Sequence, residues 1–340
     1  MGRHLRPVSR RRRALLIATA LSLATGAVVL IKDREPAPVV RVPETGSTGG
    51  PGLYVDPAGA AAREVRALEQ AGRRAEAAVL RRIADRPVAT WFTDAAPGFT
   101  DRARRLVSAA TAAGRLPVLT LYFIPRRDCG SYSAGGASSA AAYKKWVFAL
   151  REAMRGHRAL VVLEPDAVAQ TVRGCLGTHA RTERYALLAW AVDTLRALPG
   201  VAVYLDAGNP SWVPAARMAP ALRASGATRA RGVSLNVANF ETTHDNLVYG
   251  TELSRLLDDR HFVVDTSRNG NGPAQQGAGD RHWCNPPGRR LGPAPTLRTG
   301  HPLADAYLWV KRPGESDGAC GSGAPKAGHW FPAYAMALAR

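Results

Sequence analysis

Carboxylates stand where apolar runs of this sequence end. The run Ala159–Leu163 stops at Glu164-Pro165-Asp166, and "LPVLTLYF" (116–123) is followed shortly by Asp128. "VAVYLD" closes on Asp206, "HFVVDT" contains Asp265 three residues before Arg268, and "AYLWV" (306–310) leads into Lys311, Glu315 and Asp317. Two carboxyl groups held close together disfavour double ionisation, so one keeps a proton near neutral pH. Such an acid can protonate a leaving oxygen while water is activated elsewhere, which is the requirement of glycoside hydrolysis. Large aromatics share these segments: Trp91, Tyr122, Trp212 and Trp283. Their faces suit the apolar face of a pyranose, and carboxylates accept hydrogen bonds from its hydroxyls. For a single rim aromatic such as Trp91 or Trp309, core packing is an equally good reading.

Other chemistries lack their residues. "SRNGNGP" (267–273) is Gly-rich without phosphate-loop or dinucleotide spacing, and no GxSxG elbow occurs. No CxxC or zinc-ligand spacing exists and the His are scattered, so neither a metal nor a cofactor is expected. The net charge of +19 raises the question of nucleic acid. Seven of those charges belong to residues 1–41, and the remaining Arg are scattered along helix-like stretches such as 63–82 without interleaved aromatics. They read as solvated helix faces rather than a polyanion site.

The elements that must position the carboxylates alternate. Apolar, β-branched runs fall at 88–92, 116–123, 159–164, 201–206, 232–237, 261–266 and 306–310. Amphipathic stretches at 99–113, 138–155, 181–198 and 243–259 lie between several of them. Alternation implies parallel βαβ units, and strands apolar throughout imply burial on both faces. Seven such strands with polar ends predict a single α/β domain, a parallel β/α barrel-like fold rather than an open sheet. In such a barrel the C-terminal strand ends share one face, and the site sits there.

The N-terminus reads as targeting. "RPVSRRRR" precedes the apolar run Ala14–Ile31, giving a cleaved signal peptide or an uncleaved anchor over 1–31. Either places the rest outside the cell, with membrane contact only through that anchor. Residues 32–52 form a Pro/Gly-rich spacer, and 53–340 the catalytic domain. An exported chain with four cysteines, Cys129, Cys175, Cys284 and Cys320, suggests two disulfides. Three connectivities are open, of which pairing of sequence neighbours is the simplest; four free thiols is the alternative. A monomer is the default.

Six blocks then carry a resemblance: "LYFIPRRDCG", "VVLEPDAV", "YLDAGNPSW", "VVDTSRNGNGP", "HWCNPPGRRLG" and "LWVKRPGESDG", in order over about 52–340. Together they resemble glycoside hydrolase family 6, the cellulases and cellobiohydrolases. The resemblance implies a distorted, partly open parallel β/α barrel of seven strands, TIM-like, that cleaves β-1,4-glucan with inversion. It implies Asp166 as general acid and Asp128 as the aspartate that raises the acid's pKa and helps handle the water's proton. It also implies Tyr122 as the residue crowding the reacting sugar, and Asp317 as catalytic base. Trp91, Trp212, Trp283, Lys311 and Glu315 match sugar-contacting positions, and Asp206 and Arg268 a cleft carboxylate and arginine. Glu164 reads as a brace, Asp128 alternatively as a loop cap, and Lys311–Glu315 alternatively as an ion pair.

Two positions depart from the family. A loop serine that helps hold water is replaced by Ala134, next to Ser133, and a His after D-A-G is replaced by Asn209. An active but slowed enzyme is expected, since acid catalysis alone is worth about 10²–10⁴-fold. Only Gly318 and Ala319 separate Asp317 from Cys320, where exo-acting relatives carry a long loop. An open groove, hence internal cleavage, is expected. The alternatives are a cellobiohydrolase and a silent glucan-binding protein.

Overall fold

The computed structural model describes residues 52–275, 282–321 and 323–340; the proposed targeting segment and most of the spacer lie outside the described residues. Two helices, α1 (Ala60–Gln70) and α2 (Arg74–Ala84), precede β1 (Thr90–Phe92). Strand and helix then alternate: α3 (Phe99–Ala112), β2 (Val118–Leu121), α4 (Ala140–Ala153), β3 (Ala159–Leu163). A short α5 (Ala167–Val172) and a long α6 (Thr178–Arg196) lead to β4 (Val201–Asp206), α7 (Ala215–Ala224) and β5 (Gly232–Leu235). The chain finishes with α8 (Thr243–Leu256), β6 (His261–Asp265), β7 (Ala304–Leu308) and α9 (Pro332–Ala339).

All seven apolar runs become strands, and every strand pairs in parallel with its sequence neighbour, in the order β1 to β7. Sequential parallel pairing needs a crossover between strands, which helices supply up to β6 and the long connection 266–303 supplies between β6 and β7. The four amphipathic stretches become α3, α4, α6 and α8 within a few residues. Side chains cap two of them: Ser139 accepts from Ala142 N–H at α4, and Thr242 from Asp245 N–H at α8.

Burial follows the strand period. Val118, Leu160, Val162, Ala202, Tyr204, Val263, Ala306 and Leu308 pack together in one cluster, the barrel interior. Leu119, Leu121, Val161, Leu163, Val203 and Leu205, facing the other way, join a larger cluster with α3, α4, α6, α7 and α8. Both strand faces are covered, which is why these runs are apolar without alternation. The outer strands β1 and β7 form no ladder. They touch where Ala89 N–H donates to Trp309 O (2.9 Å) and Trp91 Nε1–H to Val310 O (2.8 Å). The barrel is therefore distorted and partly open, and α1, α2 and α9 pack around Trp309 beside the gap.

The N-terminal end of the strands is plugged by ions. Tyr204 donates its hydroxyl to Asp305 Oδ2 (2.7 Å), while Arg231 binds both Asp305 oxygens (2.8 Å each) and His261 Nδ1 lies 2.9 Å from Oδ1. With that end closed, the C-terminal end is the one left to form a site.

Candidate active site

The backbone is strained where the strands emerge. Arg126, Asp128 and Cys129 after β2, Glu164 and Asp166 after β3, and Asn236 and Ala238 after β5 all have positive φ. Non-glycine residues in this region cost roughly 1–3 kcal/mol each and persist where surrounding contacts dictate them. These turns open onto a cavity of about 1610 Å³.

Asp166 and Asp128 both line that cavity. Asp166 occupies the N-cap position of α5 with φ of 69°, but its side chain makes no capping bond there and the residue lines the cleft instead. Tyr122 Oη–H donates to Asp166 Oδ2 at 3.3 Å. Burial, followed by the charges of Asp206 and Asp128, holds the Asp166 carboxyl well above the usual carboxylate range; Tyr122 and Lys311 oppose this without cancelling it. Asp128 is tied differently. Its Oδ1 accepts from Gln170 Nε2–H (2.8 Å) and its Oδ2 from Ser133 N–H (2.7 Å). The bond to Ser133 makes Asp128 a cap of its own loop as well as a cleft carboxylate. The Cys129–Cys175 disulfide fastens the same loop to the end of α5. Ala134 lines the cleft, and so does Ser133 beside it.

Three groups shape this loop from behind. Glu164 accepts from Phe123 N–H and Ile124 N–H (3.0 Å each). Burial pushes its carboxyl up to about 7, against the pull of those donors and Tyr143. Arg184, from α6, donates to Pro125 O (2.7 Å) and Arg126 O (2.8 Å). Arg127 reaches Ser133 O (2.7 Å), Thr93 O (2.9 Å) and Tyr122 O (2.8 Å), with its guanidinium 4.8 Å from the Tyr122 ring centre. Trp91 meets the same ring edge-on at 5.5 Å, so Tyr122 is held from both sides.

Asp206 and Asp265 lie beneath the cleft. Asp206 accepts from Asp166 N–H and Gly208 N–H (3.0 Å each), and burial pushes its carboxyl up to about 7. Asp265 accepts from Ala238, Ser267, Val310 and Lys311 N–H, joining the ends of β5, β6 and β7. Arg268 is also buried, at 0% exposure, over the Phe240 ring. Sequence reasoning matched Asp206 and Arg268 to a cleft carboxylate and arginine. In the fold neither lines the cavity; each acts on a residue that does.

Asp317 is the residue Arg268 acts on. Arg268 Nη1–H donates to Asp317 Oδ2 (2.7 Å), Lys311 Nζ lies 3.0 Å from Oδ1, and Asn285 N–H donates to Oδ2 (3.0 Å). Burial alone would raise this carboxyl, but Arg268, Lys311 and Asn285 together hold it below the usual range. The Cys284–Cys320 disulfide brackets the Asn285–Asp317 pairing. Glu315 pairs with Arg312 (2.8 Å), so the alternative Lys311–Glu315 ion pair is replaced by Lys311–Asp317 and Arg312–Glu315.

Trp91, Trp212 and Trp283 line the cavity together with Lys311 and Glu315. Trp309 is core instead, buried with its Nε1–H on Pro293 O (3.0 Å). Asn209 lines the cavity and accepts from Ser211 N–H (3.1 Å). The loops after β2 and β6 meet at Tyr132, which is 45% exposed and packs edge-on to Trp283 at 5.6 Å. Tyr132, Gln170 and Glu241 also line the cavity and were not singled out from sequence. Gln170 had a legible signal: it lies four residues after Asp166, one helical turn on.

With this geometry in place, comparison with known proteins is direct. Residues 48–340 match the family described as Glycosyl hydrolases family 6. The chain is 40% identical over 340 residues to Endoglucanase 1 of Streptomyces halstedii, spanning 97% of this chain and 99% of that protein. It is similar to the solved endoglucanase Cel6 from Mycobacterium tuberculosis in complex with a thio-linked cellobioside. That likeness has 45% identity and a TM-score of 0.80, covering 86% of this chain and 97% of that one. The catalytic core of the cellobiohydrolase Cel6A from Chaetomium thermophilum is similar at 28% identity and a TM-score of 0.72, with 86% and 97% covered.

Proposed function

This chain belongs to glycosyl hydrolase family 6, and from that premise we propose that it cleaves internal β-1,4-glucosidic bonds of a glucan with inversion, as an endoglucanase. The observation that carries the reading is Asp166: a carboxyl group whose burial and neighbouring carboxylates favour its protonated form, bonded to Tyr122, in a cleft lined by three tryptophans. In the step we assign to it, Asp166 gives its proton to the glycosidic oxygen as the C1–O bond breaks. Water attacks C1 from the opposite face, and the departing chain leaves as an alcohol. Tyr122, braced by Trp91 and Arg127, crowds the reacting ring and favours its distortion.

Asp317 was the expected base, yet both its oxygens are engaged by Arg268, Lys311 and Asn285. A carboxylate held below the usual range is a weak base, and protonating it would break two ion pairs. We therefore route the water's proton toward Asp128, and assign to Asp317 the holding of Lys311 at the sugar-facing wall. Ser133 meets Asp128 through its backbone N–H, while Ala134 stands at the family serine position without a hydroxyl, so a slowed reaction remains the expectation.

Internal cleavage is supported by the short connection from Asp317 to Cys320. Export is supported by the basic N-terminus, its apolar run and both disulfides. The test is hydrolysis of soluble β-1,4-glucan with viscosity, reducing ends and product anomer recorded. Viscosity should fall ahead of soluble sugar release, and the α-anomer should appear first. A β-anomer as first product, or no new reducing ends, refutes the reading.

A further inference from the structure

The two cleft carboxylates differ in what donates to them. Each oxygen of Asp128 receives a backbone or amide N–H: Oδ1 from Gln170, Oδ2 from Ser133. Among the described residues the Asp166 carboxyl group receives the Tyr122 hydroxyl alone, at the longer distance of 3.3 Å. An N–H donates and cannot accept, so an oxygen engaged by one is disfavoured as the bearer of an O–H. With Asp128 ionised, the Gln170 amide turns Nε2 toward the carboxylate, as the structure has it at 2.8 Å, since Oε1 facing that charge would be repelled. Turned that way, Oε1 is buried without a hydrogen-bond partner among the described residues. A buried unsatisfied oxygen costs about 1–3 kcal/mol, which the fold tolerates where the orientation is needed.

Gln170 is also placed where it can couple the pair. It lies one turn along α5 from Asp166, and the Cys129–Cys175 bond ties the end of the same segment to the loop bearing Asp128. One short segment thus spaces the two carboxylates, and Gln170 is its polar link to the second.

We propose that Gln170 is a positioning residue that decides which carboxylate carries the catalytic proton: by donating to Asp128 it keeps that group an acceptor and leaves the proton on Asp166. The proposal rests on the reading of Asp166 as general acid and adds to it the device that distinguishes acid from partner. Other charged and titratable groups facing the pair are Tyr122 and Arg127 from the β2 end, Glu164 from β3, Asp206 from β4 and Lys311 after β7. Arg173 lines the cavity from the end of α5. None of these is a neutral amide on Asp128, and all remain in the variants below.

The test is the pH profile of kcat on cellohexaose for wild type, Gln170→Leu and Gln170→Glu, with oligosaccharide binding and Tm measured in parallel. Gln170→Leu should lower kcat about ten- to a hundredfold, the worth of one hydrogen bond to a charged group, with KM within about twofold. Its acid limb should move to higher pH. Gln170→Glu should lie nearest wild type at low pH, where the protonated side chain donates to Asp128 as the amide does. It should then fall away as pH rises and that donor is lost to ionisation. Equal loss across the pH range in both variants, or no loss, overturns the proposal. An inactive wild-type protein would instead remove the reading of the function itself.

Discussion

Replacing Asp166 by Asn removes the proton while keeping the shape. The backbone N–H of residue 166 still donates to Asp206, and an Asn side-chain oxygen can still accept from Tyr122 where Asp166 Oδ2 now does. Folding and sugar binding should therefore persist, and the change isolates proton donation. General acid catalysis is worth about 10²–10⁴-fold, or roughly 3–5 kcal/mol of barrier at about 1.4 kcal/mol per decade. That loss should appear on unactivated cello-oligosaccharides, whose leaving alkoxide needs a proton. On an aryl cellobioside with an acidic phenol as leaving group, protonation is hardly required, and the loss should shrink to about tenfold or less. The alkaline limb of the kcat profile should also disappear, because that limb reports the acid. Steady-state rates on the two substrates and calorimetric binding of cellotetraose make the comparison. Equal losses on both substrates, with binding intact, would refute the assignment, since a general acid must matter in proportion to the leaving group's need.

Two further outcomes follow from the buried charges. Glu164, at about 7 in the fold against roughly 4.3 unfolded, binds a proton more tightly when folded. Its contribution to stability is therefore complete below the unfolded value and is lost as pH rises through about 7. In that window it gives a slope of about −1.4 kcal/mol per pH unit, which Glu164→Gln should remove; urea midpoints at stepped pH would show it, and an unchanged slope contradicts the reading. Asp317→Ala leaves Arg268 buried without its carboxylate and should cost about 3–5 kcal/mol in denaturant unfolding, whereas a loss under 1 kcal/mol would mean the Arg268–Asp317 pair is not the buried ion pair described.

Much was legible in the chain because it follows from period and composition. A strand buried on both faces must be apolar at every position, so Ala159–Leu163 announced itself and its fellows did the same. Parallel strands need crossovers, so the intervening amphipathic stretches fixed the class of fold. Carboxylates at strand ends then had to share one face, which brought Asp166 and Asp128 to one cleft before any coordinates. Trp309 shows the limit of that reasoning, since a tryptophan beside a strand end serves a core as readily as a cleft.

What the tertiary structure alone decided is partnership. Arg268 and Asp317 are 49 residues apart, and nothing local in the sequence marks them as an ion pair. Whether Lys311 would meet Glu315, the alternative weighed from sequence, or Asp317 depended on how a loop turned. Asp206 and Arg268 look like cleft residues by type, but Asp206 is held below by the Asp166 and Gly208 N–H groups and Arg268 by Asp317 and the Ala238 carbonyl. Composition and period are properties of a segment and can be read along it. Depth, charge pairing and the identity of the proton's holder are differences in solvation between groups from separate segments, and those differences exist only once the chain has closed around them.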